Sequence, residues 1–121
     1  MSHAIGARCG VPHGTGNGIL LPHVMRFNIP ACAPKLAQVA DALGVEARDL
    51  ADEERAELAA QAVSTLLEAC EHPTTLAEVG VTKDVLKACA GMALIDFSTF
   101  SNARAPGGRH NVVSLYEKAM G

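Results

Sequence analysis

The sequence predicts an all-α fold, a small helical bundle, and three observations predict it. Ala and Leu dominate, and Ala is both the best helix former and small enough to let helix backbones approach. β-Branched residues are spread thinly and seldom alternate with polar ones, which argues against a sheet. Aromatics are confined to Phe27, Phe97, Phe100 and Tyr116, with no Trp, so the core must be aliphatic.

At 121 residues the chain reads as one domain with a modest core. A formal net charge of −3 and the lack of a basic run argue against nucleic acid as a partner. No apolar run approaches the ~20 residues needed to cross a bilayer. The N-terminus does not have the shape of a signal peptide, so the expected location is cytoplasmic. Cys9, Cys32, Cys70 and Cys89 are widely spaced and form no CxxC pair; they are expected as buried thiols rather than as disulfides or zinc ligands.

The elements follow in order. Residues 1–8 have helical composition but no start signal, as though the chain began inside a helix and were the tail of something longer. Gly10-Val11-Pro12 breaks that helix. A second helix restarts after His13 and runs through Phe27, with a kink or early turn expected at Pro22. Residues 30–34 read as a short connection. Residues 35–43 form a helix on Leu36, Val39, Ala40 and Leu43, closed by Gly44. Asp49 or Asp52 can cap the next helix, which runs to about Cys70. Leu58, Ala62, Leu66 and Cys70 would form its apolar row, flanked by Ala59, Val63 and Leu67. Glu53, Glu54, Arg55 and Glu57 would be a solvated entry turn. His72-Pro73 stops this helix. Thr75-Leu76-Ala77-Glu78 has the form of a capping box for one short turn ended by Gly80. Thr82 can cap a helix to about Asp96, with Val85, Leu86, Cys89, Met92 and Ala93 as its apolar face. Residues 97–109 read as irregular. A last helix from about Asn111 places Val112, Leu115, Tyr116 and Ala119 on one side.

Chemistry concentrates in HAIGARCGVPHGTGNGILLPHVMRFN, residues 3–28, with three of the five histidines and five of the eleven glycines. His3, His13 and His23 are ten residues apart, which is not a local chelate; two His on one helix face need i, i+4 spacing. Cys9 with His13 does not close a tetrahedral site. The GTGNG run lacks the GxGxxG order and no strand precedes it, so it is not a dinucleotide loop. Asp96, next to an apolar run, could cap a helix or pair with Arg104.

This stretch resembles the sequence near the start of the C-terminal part of the iron-dependent (group III) alcohol dehydrogenases, in Pro-His-Gly followed by LPHVMxFN. The resemblance extends to residues 73–80, similar to the family's P-x-x-L-x-E-x-G turn, and to Asp96 and Asn102-Ala103-Arg104, where Ala103 replaces the family's Pro. It implies a partial helical domain over 1–121, with the dehydroquinate synthase-like fold of the family's helical domain and without its nucleotide-binding domain. It further implies one divalent metal, iron or sometimes zinc, held by an Asp and three His, of which only His13 has a match here. His3 matches a His beside the nicotinamide of NAD(P), a catalytic rather than a metal-binding position. His23 matches a His read as structural. The remaining ligands and the pyrophosphate loop would lie upstream.

Two functional expectations follow. The chain is a helical fragment of an NAD(P)-linked alcohol dehydrogenase, inactive alone, either a truncated gene product or one piece of a split enzyme whose site a complementary N-terminal chain completes. Alternatively it is a non-catalytic, self-associating helical module. A weaker third expectation is a metal site of His3, Cys9 and His13 shared between subunits. Loss of the upstream helices should bare apolar surface; about 500 Å² at ~25 cal/mol per Å² is on the order of 10 kcal/mol before entropy is counted. A homo-oligomer with the N-terminal segment in its interface is therefore expected.

Overall fold

Helix α1 (Ser2–Cys9) stops at Gly10, which takes φ 71° and donates its amide to the Gly6 carbonyl at 3.0 Å. That left-handed step favours Gly, because a side chain there crowds the backbone. The structure, a computed structural model, describes all of residues 1–121. It contains six α-helices and a 3₁₀ turn and no strand. No helix is long and apolar enough to cross a membrane.

The fold class is as the sequence predicts, but the second helix is longer. Helix α2 (His13–Ala42) absorbs both the helix expected through Phe27 and the one expected over 35–43. Pro22 sits buried inside it without a break, so the expected kink there does not form. The single departure is Cys32, at φ −148° and ψ 33°. This break precedes Pro34, whose ring would otherwise press on the Pro30 carbonyl one turn back. The Cys32 thiol donates to the Asn28 carbonyl at 3.4 Å. The expected connection over residues 30–34 is thus a kink at Cys32. Gly44, at φ 74°, follows α2, and the Gly44 and Val45 amides close on the Asp41 and Ala40 carbonyls.

Helix α3 (Asp52–Ala69) lies antiparallel to the second half of α2 and corrects three expectations. Its cap is Ala51, not Asp49 or Asp52, with the Glu54 carboxylate accepting from the Ala51 amide at 3.3 Å. Its buried positions are Ala56, Ala59 and Ala60, while Leu58, Leu66 and Cys70 are exposed. The small residues win because close backbone approach to α2 leaves no room for Leu. Arg55 is not part of a solvated turn. It is largely covered and donates to Asp52, to Asp41 at 2.7 Å and to the Ala37 carbonyl. Glu57 accepts from Arg26 Nε at 2.6 Å, a second tie across the hairpin.

Residues 75–80 form the expected turn. Glu78 accepts from the Thr74 and Thr75 hydroxyls and the Thr74 amide, which hold its carboxyl below the usual range. The Leu76 amide then donates to the Ala119 carbonyl at 2.8 Å. A 3₁₀ turn (Lys83–Val85) leads into α4 (Leu86–Leu94), which ends before Asp96 and buries Leu86, Cys89, Ala90 and Ala93. Met92, expected on that face, is exposed. The stretch after it is not wholly irregular: α5 (Phe97–Phe100) is one turn. Helix α6 (Arg109–Lys118) buries Val112, Leu115 and Tyr116, with Ala119 just beyond it, as predicted. Of the four cysteines only Cys89 is fully buried; none is in a disulfide.

Two cores result. The larger joins α1, the first half of α2, the 75–81 turn, α4 and α6 around Ile5, Ile19, Leu76, Leu86 and Tyr116. Burying each such side chain contributes roughly 1.5–3 kcal/mol. The Tyr116 hydroxyl donates to the Met1 carbonyl at 2.9 Å, closing α6 over the start of α1. The smaller core, in the α2–α3 hairpin, is Met25, Ala40, Ala59 and Ala60.

Candidate functional site

The turn through Gly10, Val11 and Pro12 folds the start of α2 back beside α1. It brings together two imidazoles ten residues apart in sequence. His3 on α1 and His13, the first residue of α2, stack with ring centroids 5.0 Å apart and planes inclined by 21°. His13 Nε2 accepts from Asn17 Nδ2 at 3.0 Å, one helical turn on. That i, i+4 relation was readable from the sequence, since both residues fall on one helix face.

Asp96 completes the group; of its two expected roles the cap is present and the pairing with Arg104 is not. Asp96 caps α5: its Oδ1 accepts from the Ser98 amide at 2.9 Å and from the Ser98 hydroxyl at 2.7 Å. Its Oδ2 faces His3 Nδ1 at 2.7 Å. The Ser98 hydroxyl and amide, and after them His3, hold the Asp96 carboxyl well below the usual carboxylate range. In the neutral tautomer that donates from Nδ1 to Asp96, the second ring nitrogen of His3 keeps its lone pair. The His3 side chain is 58% exposed and that of Asp96 17%, so the imidazole is reachable while its carboxylate partner is sheltered.

The Asp96 segment is held against α2 by a clasp between two motifs read separately in the sequence. The side-chain amides of Asn28 and Asn102 exchange hydrogen bonds of 3.0 and 2.8 Å. Arg104 donates to the Phe27 carbonyl at 3.0 Å, and its guanidinium lies 4.5 Å from the Phe27 ring centroid. The clasp forms with Ala103 between Asn102 and Arg104. Nothing in local periodicity could have paired Asn28 with Asn102, or His3 with Asp96, because the partners are 74 and 93 residues apart.

An apolar cavity of about 380 Å³ opens beside the group, lined by Met1, Leu20, Leu21, Val24 and Phe27. Asn17 and Ser98, the partners of His13 and Asp96, also line it. His23 is not part of this group. It lines a separate cavity, and burial, Arg26 and Lys118 push its imidazole down. Cys9 also stays apart from the two imidazoles: it packs against the larger core near Cys89, whose thiol is pushed up by burial first and by Cys9 next.

The comparisons with known proteins agree in one direction. The family model described as "Fe-containing alcohol dehydrogenase family, C-terminal" matches residues 1–120. The chain belongs to the iron-containing alcohol dehydrogenase family. Lactaldehyde reductase of Escherichia coli K12 is 38% identical over 119 residues, 98% of this chain and 31% of that protein. 1,3-Propanediol dehydrogenase of Citrobacter freundii is 34% identical over 120 residues, 99% of this chain and 31% of that protein. The crystal structure of a 1,3-propanediol oxidoreductase superposes with a TM-score of 0.94 at 33% identity, over 98% of this chain and 31% of that one. An alcohol dehydrogenase from Oenococcus oeni gives a TM-score of 0.93 at 28% identity, over 98% and 30%. The chain spans about a third of the length of these relatives.

The residues of this chain do not by themselves fit the metal that the family name implies. A metal of this kind takes about four donors. No three His, Cys, Asp or Glu side chains are placed here so that they could hold one ion. His13 offers one imidazole, already accepting from Asn17, and the nearest second imidazole is tied to Asp96. The expected trio of His3, Cys9 and His13 is not assembled within one chain. Nor do the glycines of the GTGNG run form a phosphate loop, because they lie inside the first turns of α2. Gly18 is there for packing: a Cβ on it would meet the His72 ring at 2.5 Å.

Proposed function

We propose that this chain is the C-terminal helical part of an NAD(P)-linked alcohol dehydrogenase site and has no dehydrogenase activity alone. In this reading His13 is one of several metal-side imidazoles, the others lying on polypeptide outside residues 1–121, and His3 is the catalytic imidazole beside the nicotinamide. The observation that carries it is the stacked His3–His13 pair backed by Asp96, in a chain that matches the family from end to end. Asp96 orients His3 and fixes its tautomer, so that the outward nitrogen can take or hand on a proton. The cavity lined by Leu20, Leu21, Val24 and Phe27 suits the alkyl part of a small alcohol or aldehyde. Coenzyme and metal both need donors this chain lacks, so His3 would act only in the completed site.

A partner chain fits this reading. Ile95, Phe97 and Phe100 are 81%, 87% and 76% exposed on either side of Asp96. A second polypeptide covering them, a complementary N-terminal chain or a second copy, would also cover the site. Helix α1, by contrast, buries Ala4 and Ile5 within its own chain, and the most exposed large apolar side chains are those of Ile95, Phe97 and Phe100.

The test is a coupled NADH absorbance assay of the purified chain with propanol or butanol and added iron. The expected result is a rate equal to that of the His13→Ala variant; turnover above that control overturns the proposal.

A further inference from the structure

The second cavity, about 310 Å³ between α2 and α6, is unlike the rest of the surface. The chain is net acidic and has ten Lys and Arg in all. Three of them, Arg26, Arg104 and Lys118, line this one cavity, together with His23, Asn111 and Ser114 and without any carboxylate. The three cations are 26, 104 and 118 in sequence, so no basic run announces them; the fold gathers them from α2, the loop before α6 and the end of α6.

We propose that this cavity binds a small phosphate-bearing anion, either inorganic phosphate or a phosphate monoester. Like charges held together need a counter-charge, and a tetrahedral oxyanion meets convergent donors best. Part of the cost is already met by the fold. Arg104 is fixed by its bond to the Phe27 carbonyl and by lying over the Phe27 ring, with guanidinium donors to spare. Arg26 is anchored by Glu57 and Gln61 through two of its nitrogens. Lys118, Ser114 and His23 have no hydrogen-bond partner in the chain, so their polar atoms are available. Glu57 is the one acid paired to the group, and it faces Arg26 Nε from α3 without lining the cavity. His23 reports the field: after burial, Arg26 and Lys118 are what push its imidazole down. Arg104 also clasps the Asp96 segment to α2, and Phe27 and Asn111 line both cavities, but none of the cavity's cations or Ser114 and His23 touches His3, His13 or Asp96, so anion binding here does not depend on the dehydrogenase reading.

The experiment is a ¹H–¹⁵N NMR titration of the purified chain with sodium phosphate, with glycerol phosphate, and with sodium chloride at matched ionic strength. Saturable shifts confined to the cavity residues His23, Arg26, Arg104, Asn111, Ser114 and Lys118 are expected from both phosphates, and the tighter one names the source. Lys118→Gln and Ser114→Ala, both on the cavity face of α6, should each weaken binding about tenfold while leaving the remaining spectrum in place. The His23 ring midpoint should rise when the site is saturated, because a bound anion offsets Arg26 and Lys118. Linear shifts, shifts matched by chloride, undiminished binding by Lys118→Gln, or an unmoved His23 midpoint at saturation would each overturn the proposal.

Discussion

The larger core and the α2–α3 hairpin use the same Ala-rich composition to opposite effect. The larger core fills its space with Tyr116, Ile5, Ile19, Leu76 and Leu86, each almost wholly covered, around scattered Ala. Apart from Met25 the hairpin fully buries only Ala side chains, Ala33, Ala37, Ala40, Ala56, Ala59 and Ala60 among them, with Leu36, Val39, Val45 and Val63 partly covered, and leaves Leu43, Leu50, Leu58 and Leu66 exposed. An Ala-lined contact gains close approach and loses transfer energy, since a methyl buries far less than a Leu side chain. The hairpin compensates with polar ties, Arg55 to Asp41 and Asp52 and Arg26 to Glu57. The lesson is that His3, His13 and Asp96 stand on the better-filled half.

The sharpest way to break this comparison is to delete one Leu from each half. Leu76→Ala should cost about 2–5 kcal/mol, because a fully covered side chain leaves a cavity behind. Leu66→Ala should fall within about 0.5 kcal/mol of wild type. Urea midpoints followed by circular dichroism check both; similar losses would mean the two halves are equally packed.

The seam between the halves is probed at Gly18, where the His72 ring that follows α3 rests on α2. Its Nδ1 is fixed 2.7 Å from the Pro73 carbonyl, so the ring cannot simply swing aside. Gly18→Ala should lose about 1–2 kcal/mol, overpacking outweighing the gain in helix propensity. Gly14→Ala, with open space at the Cβ, should instead gain about 0.5 kcal/mol. Thermal melts of the two variants, and of Gly18→Ala combined with His72→Ala, separate steric cost from propensity.

The effect expected at the site itself is small and depends on pH. The Asp96 carboxyl is depressed by Ser98 and then by His3, so its contribution is present above the unfolded value near pH ~4 and is lost as pH falls below it. Asp96→Asn should therefore be less stable than wild type at pH ~7, by less than about 1 kcal/mol, and the gap should close in acid. Urea curves at neutral and acid pH test the sign; a gap that widens in acid would contradict it.

Much of the fold was legible because it is local. Gly10 and Gly44 had to end helices, and Val112, Leu115, Tyr116 and Ala119 could share only one face of a helix. The α3 stripe was read correctly at Ala59 and misread around it, because periodicity marks which residues are apolar and not how near the partner helix comes; proximity chose Ala56 and Ala60 over Leu58 and Leu66. Pro22 was misread as a kink because the packing around a buried ring can stabilise a helix with one amide bond missing. At the site, His3 and His13 were visible as residue types, but their stacking is a tertiary consequence of the Gly10–Pro12 turn. Asp96 was visible as an odd acid beside apolar neighbours, and its partner was not.

Tyr116 has one more use. It is the chain's single tyrosine, there is no tryptophan, and it sits at the centre of the larger core bonded to the first residue. Burial pushes its phenol up, so it stays un-ionised through ordinary buffers. Intrinsic fluorescence therefore watches one half of the molecule and is blind to the other. Any mismatch between that emission and whole-chain ellipticity during denaturation would time the loosening of the hairpin without a label.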